Sequence, residues 1–207
     1  MRRSGRVTLE RLLAAAEDQL REDDLDAFTI HGVLARTGQS VGAFYSRFPD
    51  KWALLHAVQE RMHERLEPKI AAALAAQMEI DESLEQAVEH GFGIIIDHVL
   101  EERELVRAFM MRSVFDPLMR AKAEQVNAER RRALTEHLMR HGDEIGHEHP
   151  ESAINAAYAM YSTVLRGRLV YFESENELRG DVSDHTVFSW LTWSLGRYLR
   201  GGTLSPG

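Results

Sequence analysis

Apolar residues recur along this chain at intervals of three and four, the spacing that keeps side chains on one face of an α-helix. Leu9, Leu12, Leu13, Ala16 and Leu20 share a face, which predicts a helix from Thr8 to Arg21 with Thr8 as its N-cap. Two short helices follow, Ile30–Arg36 and Ser40–Arg47, separated by Thr37-Gly38-Gln39. After Pro49-Asp50 a long helix keeps Trp52, Leu55, Val58 and Met62 in step toward Gln77. Further helices are predicted over Glu82–Glu101, Glu104–Val114, Pro117–Arg140, Glu151–Phe172 and Val182–Arg200. Asp116-Pro117, the His141–Pro150 loop and Glu173–Gly180 punctuate them. No segment alternates apolar and polar residues for long, so the fold class is all-α, with about nine helices. The chain divides into a three-helix part over residues 1–50, led by a loose arm at 1–7, a larger helical part over 51–200, and a flexible tail at 201–207.

The short pair carries the most information. Thr29 precedes the first of the two helices and can cap it, leaving an N-terminus open to an anion. Ile30, Val33 and Leu34 point inward, and Ala35 is small enough for a second helix to cross closely. Gly38 stands where a left-handed residue ends a helix, and Ser40 can cap the next one. Phe44 and Phe48 bury, which leaves Val41, Ala43, Tyr45, Ser46 and Arg47 on or beside the outward face. Two short helices joined by a glycine turn form a helix-turn-helix, whose second helix enters a major groove.

The run Gly38-x-Ser40-x-Gly42-x-Phe44-Tyr45-x-x-Phe48-x-Asp50-Lys51 resembles the DNA-binding signature of TetR-family transcriptional regulators. Thr29 and Leu54-Leu55 fit the same pattern, while Gln39 departs from it, standing where the family usually has an aliphatic residue. The resemblance covers about the first quarter of the chain. It implies that Thr29 touches phosphate, that His31 faces the groove edge, and that Gln39, Ser40, Val41, Gly42 and Ala43 form the front of the recognition helix. It further implies phosphate contacts from Tyr45 and Lys51, with Ser46 and Arg47 at the groove end. Hydroxyls, a lysine and helix N-termini are the groups that hold phosphate. On the reading face only Gln39 and Arg47 are long polar side chains, whereas Val41 and Ala43 suit thymine methyls. An operator read through thymine contacts and DNA shape is therefore expected.

Composition tests that expectation. The 207 residues carry a formal charge of −8, which on its face argues against nucleic acid. Residues 1–52, however, hold eight Lys/Arg and eight Asp/Glu, so the whole excess of acid lies further on. Arg36, Arg47 and Lys51 are expected by the groove, and Arg2, Arg3 and Arg6 on an arm that could enter a minor groove. The absence of cysteine excludes disulfides, thiolate metal sites and a cysteine nucleophile. No apolar run is long enough for a membrane span and the start of the chain has no apolar signal core, so a cytoplasmic protein with no membrane partner is expected.

The last two predicted helices carry more apolar surface than one core requires. Met160, Gly167 and Tyr171 on the first, and Trp190, Trp193 and Gly196 on the second, suit an interface with a second copy. The resemblance likewise implies a homodimer paired through these helices and reading a palindrome. Between the two ends, Phe92, Ile96, Phe109, Met110, Phe115, Met119, Gln125, Tyr158 and Tyr161 are candidates to line a pocket for a small apolar or aromatic effector. Effector binding would shift the long helix and respace the recognition helices, most commonly to release a repressor. A constitutive DNA-binding protein with a filled core is the first competing reading. A helical-bundle metal enzyme is the second, through Glu60-x-x-His63 and Glu144-x-x-His147, and separately His141, His147 and His149 in one loop could bind a metal ion as the effector. Such pairs arise by chance, and no catalytic residue, metal site or cofactor is expected.

Overall fold

The computed structural model describes residues 2–23, 25–78, 80–171 and 182–201, with the side chains of residues 2–4 and 171 outside that description. Among the described residues there are nine α-helices and no strand. In chain order they are α1 (Arg2–Glu22), α2 (Ile30–Thr37), α3 (Val41–Tyr45), α4 (Lys51–Gln77), α5 (Leu84–Glu101), α6 (Arg103–Ser113), α7 (Pro117–Leu138), α8 (Pro150–Tyr171) and α9 (Asp184–Leu199). A short 3-10 helix, Met139–Glu144, continues from α7. Phe172, Glu173–Gly180 and the tail from 202 on lie outside the described residues.

Two boundaries differ from the sequence expectation, each for a local reason. Helix α1 begins at Arg2, so residues 2–7 extend the helix instead of forming an arm, and Thr8 lies inside it. Arginine is a good helix former, and the single Gly5 costs only about 1 kcal/mol. Helix α5 starts at Leu84 because Ser83 and Gln86 form a reciprocal capping box: Gln86 N donates to Ser83 Oγ and Ser83 N to Gln86 Oε1. Helix α4 ends at Gln77 as expected, running through Pro68.

The chain folds as two compact units. The first comprises residues 1–65 and 102–123, so the unit that carries the helix-turn-helix also takes in α6 and the start of α7. Its core gathers Leu12, Ala16 and Leu20 of α1, Val33 of α2, Phe44 of α3, Leu54, Leu55, Val58 and Met62 of α4, and Leu105, Phe109 and Met119. A charged network supports that core from one side. The buried carboxylate of Glu17 lies 3.2–3.3 Å from guanidinium nitrogens of Arg21, Arg61 and Arg65, and Glu102, which precedes α6, pairs with Arg21 and Arg65. Burial raises the pKa of Glu102, yet these two arginines outweigh it and hold the group below the ordinary glutamate value.

The second unit comprises residues 66–101 and 124–207. Helices α5 and α9 pack against each other, with Gly196 buried over Glu85 and Val88. An aromatic group of Phe92, Tyr158, Tyr161 and Phe188 fills its centre, with the Phe92 and Tyr161 rings 4.7 Å apart. The Tyr161 hydroxyl donates to the Phe92 carbonyl and the Tyr158 hydroxyl to Asn127. Burial pushes the Tyr158 phenol up to about 12 and Tyr161 well above its usual value, so both stay protonated donors at neutral pH. At the end of α9 the loop after the 3-10 helix closes on the chain: His147 Nε2 donates to the Tyr198 carbonyl, and Arg200 pairs with Glu85 and Glu144.

Candidate nucleic-acid interface

Helices α2 and α3 are short because strong stop and start signals lie close together. Thr29 Oγ1 accepts from Gly32 N at 3.0 Å, capping α2. Gly38, at φ 64 and ψ 16, turns the chain into the left-handed region while its N–H closes on the Leu34 carbonyl at 2.9 Å. Ser40 Oγ then accepts from Ala43 N at 3.1 Å and starts α3. Close packing of α1 on α2 is set by Gly32, where an added Cβ would stand 2.7 Å from the Gln19 side-chain amide. Ala35, expected to be the close-crossing residue, is exposed.

The outward surface matches the reading face in large part. Thr29, His31, Ser40, Gly42 and Ser46 are exposed, and Val41 and Tyr45 keep 59% and 54% of their surface. Gln39 and Ala43 are half-buried at the edge of the same face. The Tyr45 ring meets Phe44 edge-on at 5.2 Å, which fixes the ring plane. Asp50 Oδ1 accepts from Ala53 N and caps α4, so Lys51 occupies the first helical position.

The cations are arranged differently from the sequence expectation. The Arg47 guanidinium turns back on α3, donating to the Ala43 carbonyl at 2.7 Å, to Ser46 Oγ at 3.0 Å and to the Gly5 carbonyl at 3.5 Å. In this arrangement Arg47 satisfies the carbonyl end of α3 and ties it to α1, rather than presenting a bidentate fork to a base. Arg36 forms two hydrogen bonds to the Glu22 carboxylate and holds its pKa below the ordinary range. The Lys51 ammonium stands 4.6 Å from the centre of the Trp52 ring, and the Arg112 guanidinium 3.7 Å from the same ring.

Sequence reasoning placed Trp52 in step with Leu55, Val58 and Met62 and missed the guanidinium on its ring. Trp52 does pack, partly buried, against the core that holds Leu55, Val58 and Met62, and with His56, Gln59 and Glu60 it also forms a polar seam at helical spacing. His56 Nε2 donates to Asp116 Oδ2 at 2.8 Å, Gln59 Nε2 to the Met119 carbonyl at 3.2 Å, and Glu60 pairs with Lys122 at 2.8 Å. Asp116 also accepts from Leu118 N and Met119 N, capping α7. Burial pushes the Asp116 carboxyl up, but His56 and these N–H groups outweigh it and hold its pKa below the aspartate value.

The remaining candidates divide between the two units. Phe109 and Met119 belong to the core of the first unit, where Met110 is half-buried. Phe115, expected to line a pocket, is 77% exposed in the turn between the end of α6 at Ser113 and the start of α7 at Pro117. Phe92, Ile96, Tyr158 and Tyr161 are buried in the second unit, whereas Gln125 is exposed. Met160, Trp190 and Trp193 project outward, the two indoles 63% and 68% exposed, and Gly167 is half-buried. Gly196 faces inward onto α5, and the side chain of Tyr171 lies outside the described residues. Among the described residues no group of three His, Asp or Glu side chains converges as a metal site. Glu60 and Glu144 are paired with Lys122 and Arg200, and His147 with the Tyr198 carbonyl. No helix among the described residues is long and apolar enough to cross a membrane.

An all-helical chain that presents a capped, short helix pair outward in this way has the build of a helix-turn-helix DNA-binding regulator. Residues 12–58 match the model of the bacterial regulatory proteins of the tetR family, and this part of the chain is a TetR-family DNA-binding segment. The fold of the whole chain is that of TetR-family regulators. A TetR transcriptional regulator from Rhodococcus sp. RHA1 is 20% identical with a TM-score of 0.53, the alignment covering 98% of each chain. A regulator of the TerR/AcrR family from Aquifex aeolicus VF5 is 17% identical with a TM-score of 0.57, over 93% of this chain and 98% of that one. A protein of Mesorhizobium loti MAFF303099 assigned to the TetR family reaches a TM-score of 0.73 at 13% identity, over 95% of this chain and 96% of that one. Identities this low speak for a shared fold, not for a shared operator or effector. No curated protein matches the chain in sequence.

Proposed function

We propose that the protein is a transcriptional repressor that binds a palindromic operator as a homodimer and is released by a small molecule. The observation that carries the reading is the outward face of α2 and α3. Thr29, Ser40 and Tyr45 offer hydroxyls for phosphate, and Val41 stands exposed where a thymine methyl would meet it. DNA reading falls to residues 1–50, and effector binding and pairing to 51–200. Residues 29, 31, 39–43, 45–47 and 51 form the DNA-facing set. Arg47 joins it by releasing the Ala43 carbonyl or by contacting phosphate from its present position. The exposed Met160, Trp190 and Trp193 support pairing through α8 and α9, since two neighbouring indoles left in water favour a partner surface.

The effector is an apolar or aromatic molecule admitted against Phe92, Tyr158 and Tyr161, whose rings suit such a ligand. A coupling of about 1–3 kcal/mol would lower operator affinity roughly five- to 150-fold. Selection of bound duplexes from a random-sequence pool tests the reading. It should return an inverted repeat whose half-sites lie about 34–36 Å, or a multiple of that, apart. Val41→Ser with Ala43→Ser should erase a thymine preference within each half-site. A pool that shows no enrichment refutes the proposal.

A further inference from the structure

Lysine at the first position of a helix is placed against its own electrostatics, because the N-terminal end of the helix carries partial positive charge. Helix α4 nevertheless begins with Lys51, and the residue after it is a tryptophan. The ammonium stands 4.6 Å from the centre of that indole, so the negative ring face supplies the attraction that the helix end withholds. The indole itself is fixed from outside α4. The Arg112 guanidinium, near the end of α6, lies 3.7 Å from the ring centre, close enough for a flat stack. Arg112 Nε is buried with no hydrogen-bond partner and stands 3.9 Å from Asp116 Oδ2, beyond hydrogen-bonding reach. The stack and the charge of Asp116, rather than a hydrogen bond from Nε, therefore hold Arg112 in place. Asp116 in turn is anchored by His56 and by the first N–H groups of α7.

From this chain of contacts we propose that Trp52 and Arg112 are positioning residues for DNA binding, which hold the Lys51 ammonium where a backbone phosphate meets the start of α4. The inference rests on the reading of Lys51 as a phosphate contact and extends it to two residues that need not touch DNA. An ammonium on a four-carbon stem samples many positions, and one confined against an indole loses less freedom when a phosphate captures it. Arg112 is the member that cannot be exchanged for another cation, since only a planar guanidinium stacks flat on the ring.

The test uses the full chain and a labelled 30-base-pair mixed-sequence duplex, with binding followed by anisotropy across a series of salt concentrations. Lys51→Met should flatten the dependence of log affinity on log salt by about 1 per subunit. Arg112→Met and Arg112→Lys should each flatten it comparably, although Lys restores the charge, whereas Trp52→Phe should retain most of the wild-type slope. Adding Lys51→Met to Arg112→Lys should produce no further loss. Melting curves of the variants identify any that fail to fold, and Arg112→Lys and Trp52→Phe keep the comparison intact if Arg112→Met is one of them. Wild-type behaviour of Arg112→Lys overturns the inference, because Arg112 would then act through charge alone. Additive losses in the double variant overturn it equally, as does an unchanged slope in Lys51→Met. A wild-type protein that binds no duplex refutes the DNA-binding reading as well, a result distinguishable from the other three.

Discussion

Replacing Gly38 by alanine isolates the backbone term in the helix-turn-helix. Gly38 sits at φ 64, and a Cβ built there has no heavy atom within 4 Å, so the substitution introduces strain but no collision. Placing an L-residue in the left-handed region costs about 1–2 kcal/mol. Against this, a methyl group restricts the unfolded chain and returns about 0.4–1 kcal/mol. The net expectation is a loss of about 1 kcal/mol, or roughly 2–4 °C in melting temperature for a chain of this size. Asparagine tolerates the left-handed region better, so Gly38→Asn should lose about half as much. Gly32→Ala is the contrasting case: its methyl meets the buried Gln19 amide at 2.7 Å, and asparagine at that site should be worse, not better. Thermal unfolding followed by far-ultraviolet circular dichroism reads all four. A Gly38→Ala protein that melts with the wild type, or a Gly38→Asn protein that falls as far as Gly38→Ala, would refute the argument.

Three further outcomes follow from packing and charge. His137 has no exposed surface, donates from Nε2 to the Ala87 carbonyl and leaves Nδ1 without a partner. Burial lowers its pKa from 6.5, so below about that pH the unfolded chain binds the extra proton first and stability falls toward the folded value. His137→Gln should flatten that acid limb in a urea-midpoint series run against pH, and an unchanged limb would show that His137 does not titrate on unfolding. Gly91→Ala would place a methyl 2.6 Å from Leu134 Cδ1 and 3.0 Å from the His137 ring, and should cost about 1–3 kcal/mol by denaturant titration. Trp190→Ser with Trp193→Ser should shift sedimentation from dimer to monomer while preserving the helical spectrum; a dimer that survives would move the pairing surface elsewhere.

The order and type of the helices were most legible where a side chain makes the boundary, as around α2 and α3. Thr29, Gly38 and Ser40 declare two helices and a turn within twelve residues, and all three act in the structure as their chemistry suggests. Periodicity also named the buried faces, with Leu12, Ala16, Val33, Phe44, Leu55, Val58 and Met62 all in the first core. It could not say which neighbour covers each face. Trp52 shares a helical stripe with Leu55 and Met62 and packs against their core, and its ring also meets a guanidinium that is sixty residues away in sequence. Phe115 and Tyr161 look equally apolar on their helices, but one is exposed at a helix end and the other is buried among aromatic rings. Gly196 suited an interface by size alone, and the surface it admits is that of α5 within the same chain. The arginines were the least legible residues, because a long cation reaches many partners and the nearest in sequence need not win. Arg36 chose Glu22, and Arg47 chose one carbonyl of α3 and one of α1.

These pairings sharpen what the net charge of −8 means for a DNA-binding protein. Equal numbers of acids and bases in residues 1–52 remove the simple repulsion argument, but they do not make eight cations available to phosphate. Arg21 is occupied with Glu17 and Glu102, Arg36 with Glu22, and Arg47 with backbone carbonyls. The outward face of α2 and α3 is left largely to neutral groups, Thr29, Ser40, Val41 and Tyr45, with Lys51 at the head of α4. Few displaced counterions mean a shallow salt dependence and weak hold on arbitrary sequence. Discrimination must then come from close steric fit against base edges and from the shape of the groove, both of which require the α2–α3 turn and the first turn of α4 to be rigid. The internal pairing of the arginines supplies that rigidity: Arg36 fastens α2 to α1, Arg47 ties the end of α3 to α1, and Arg61 joins α4 to α1.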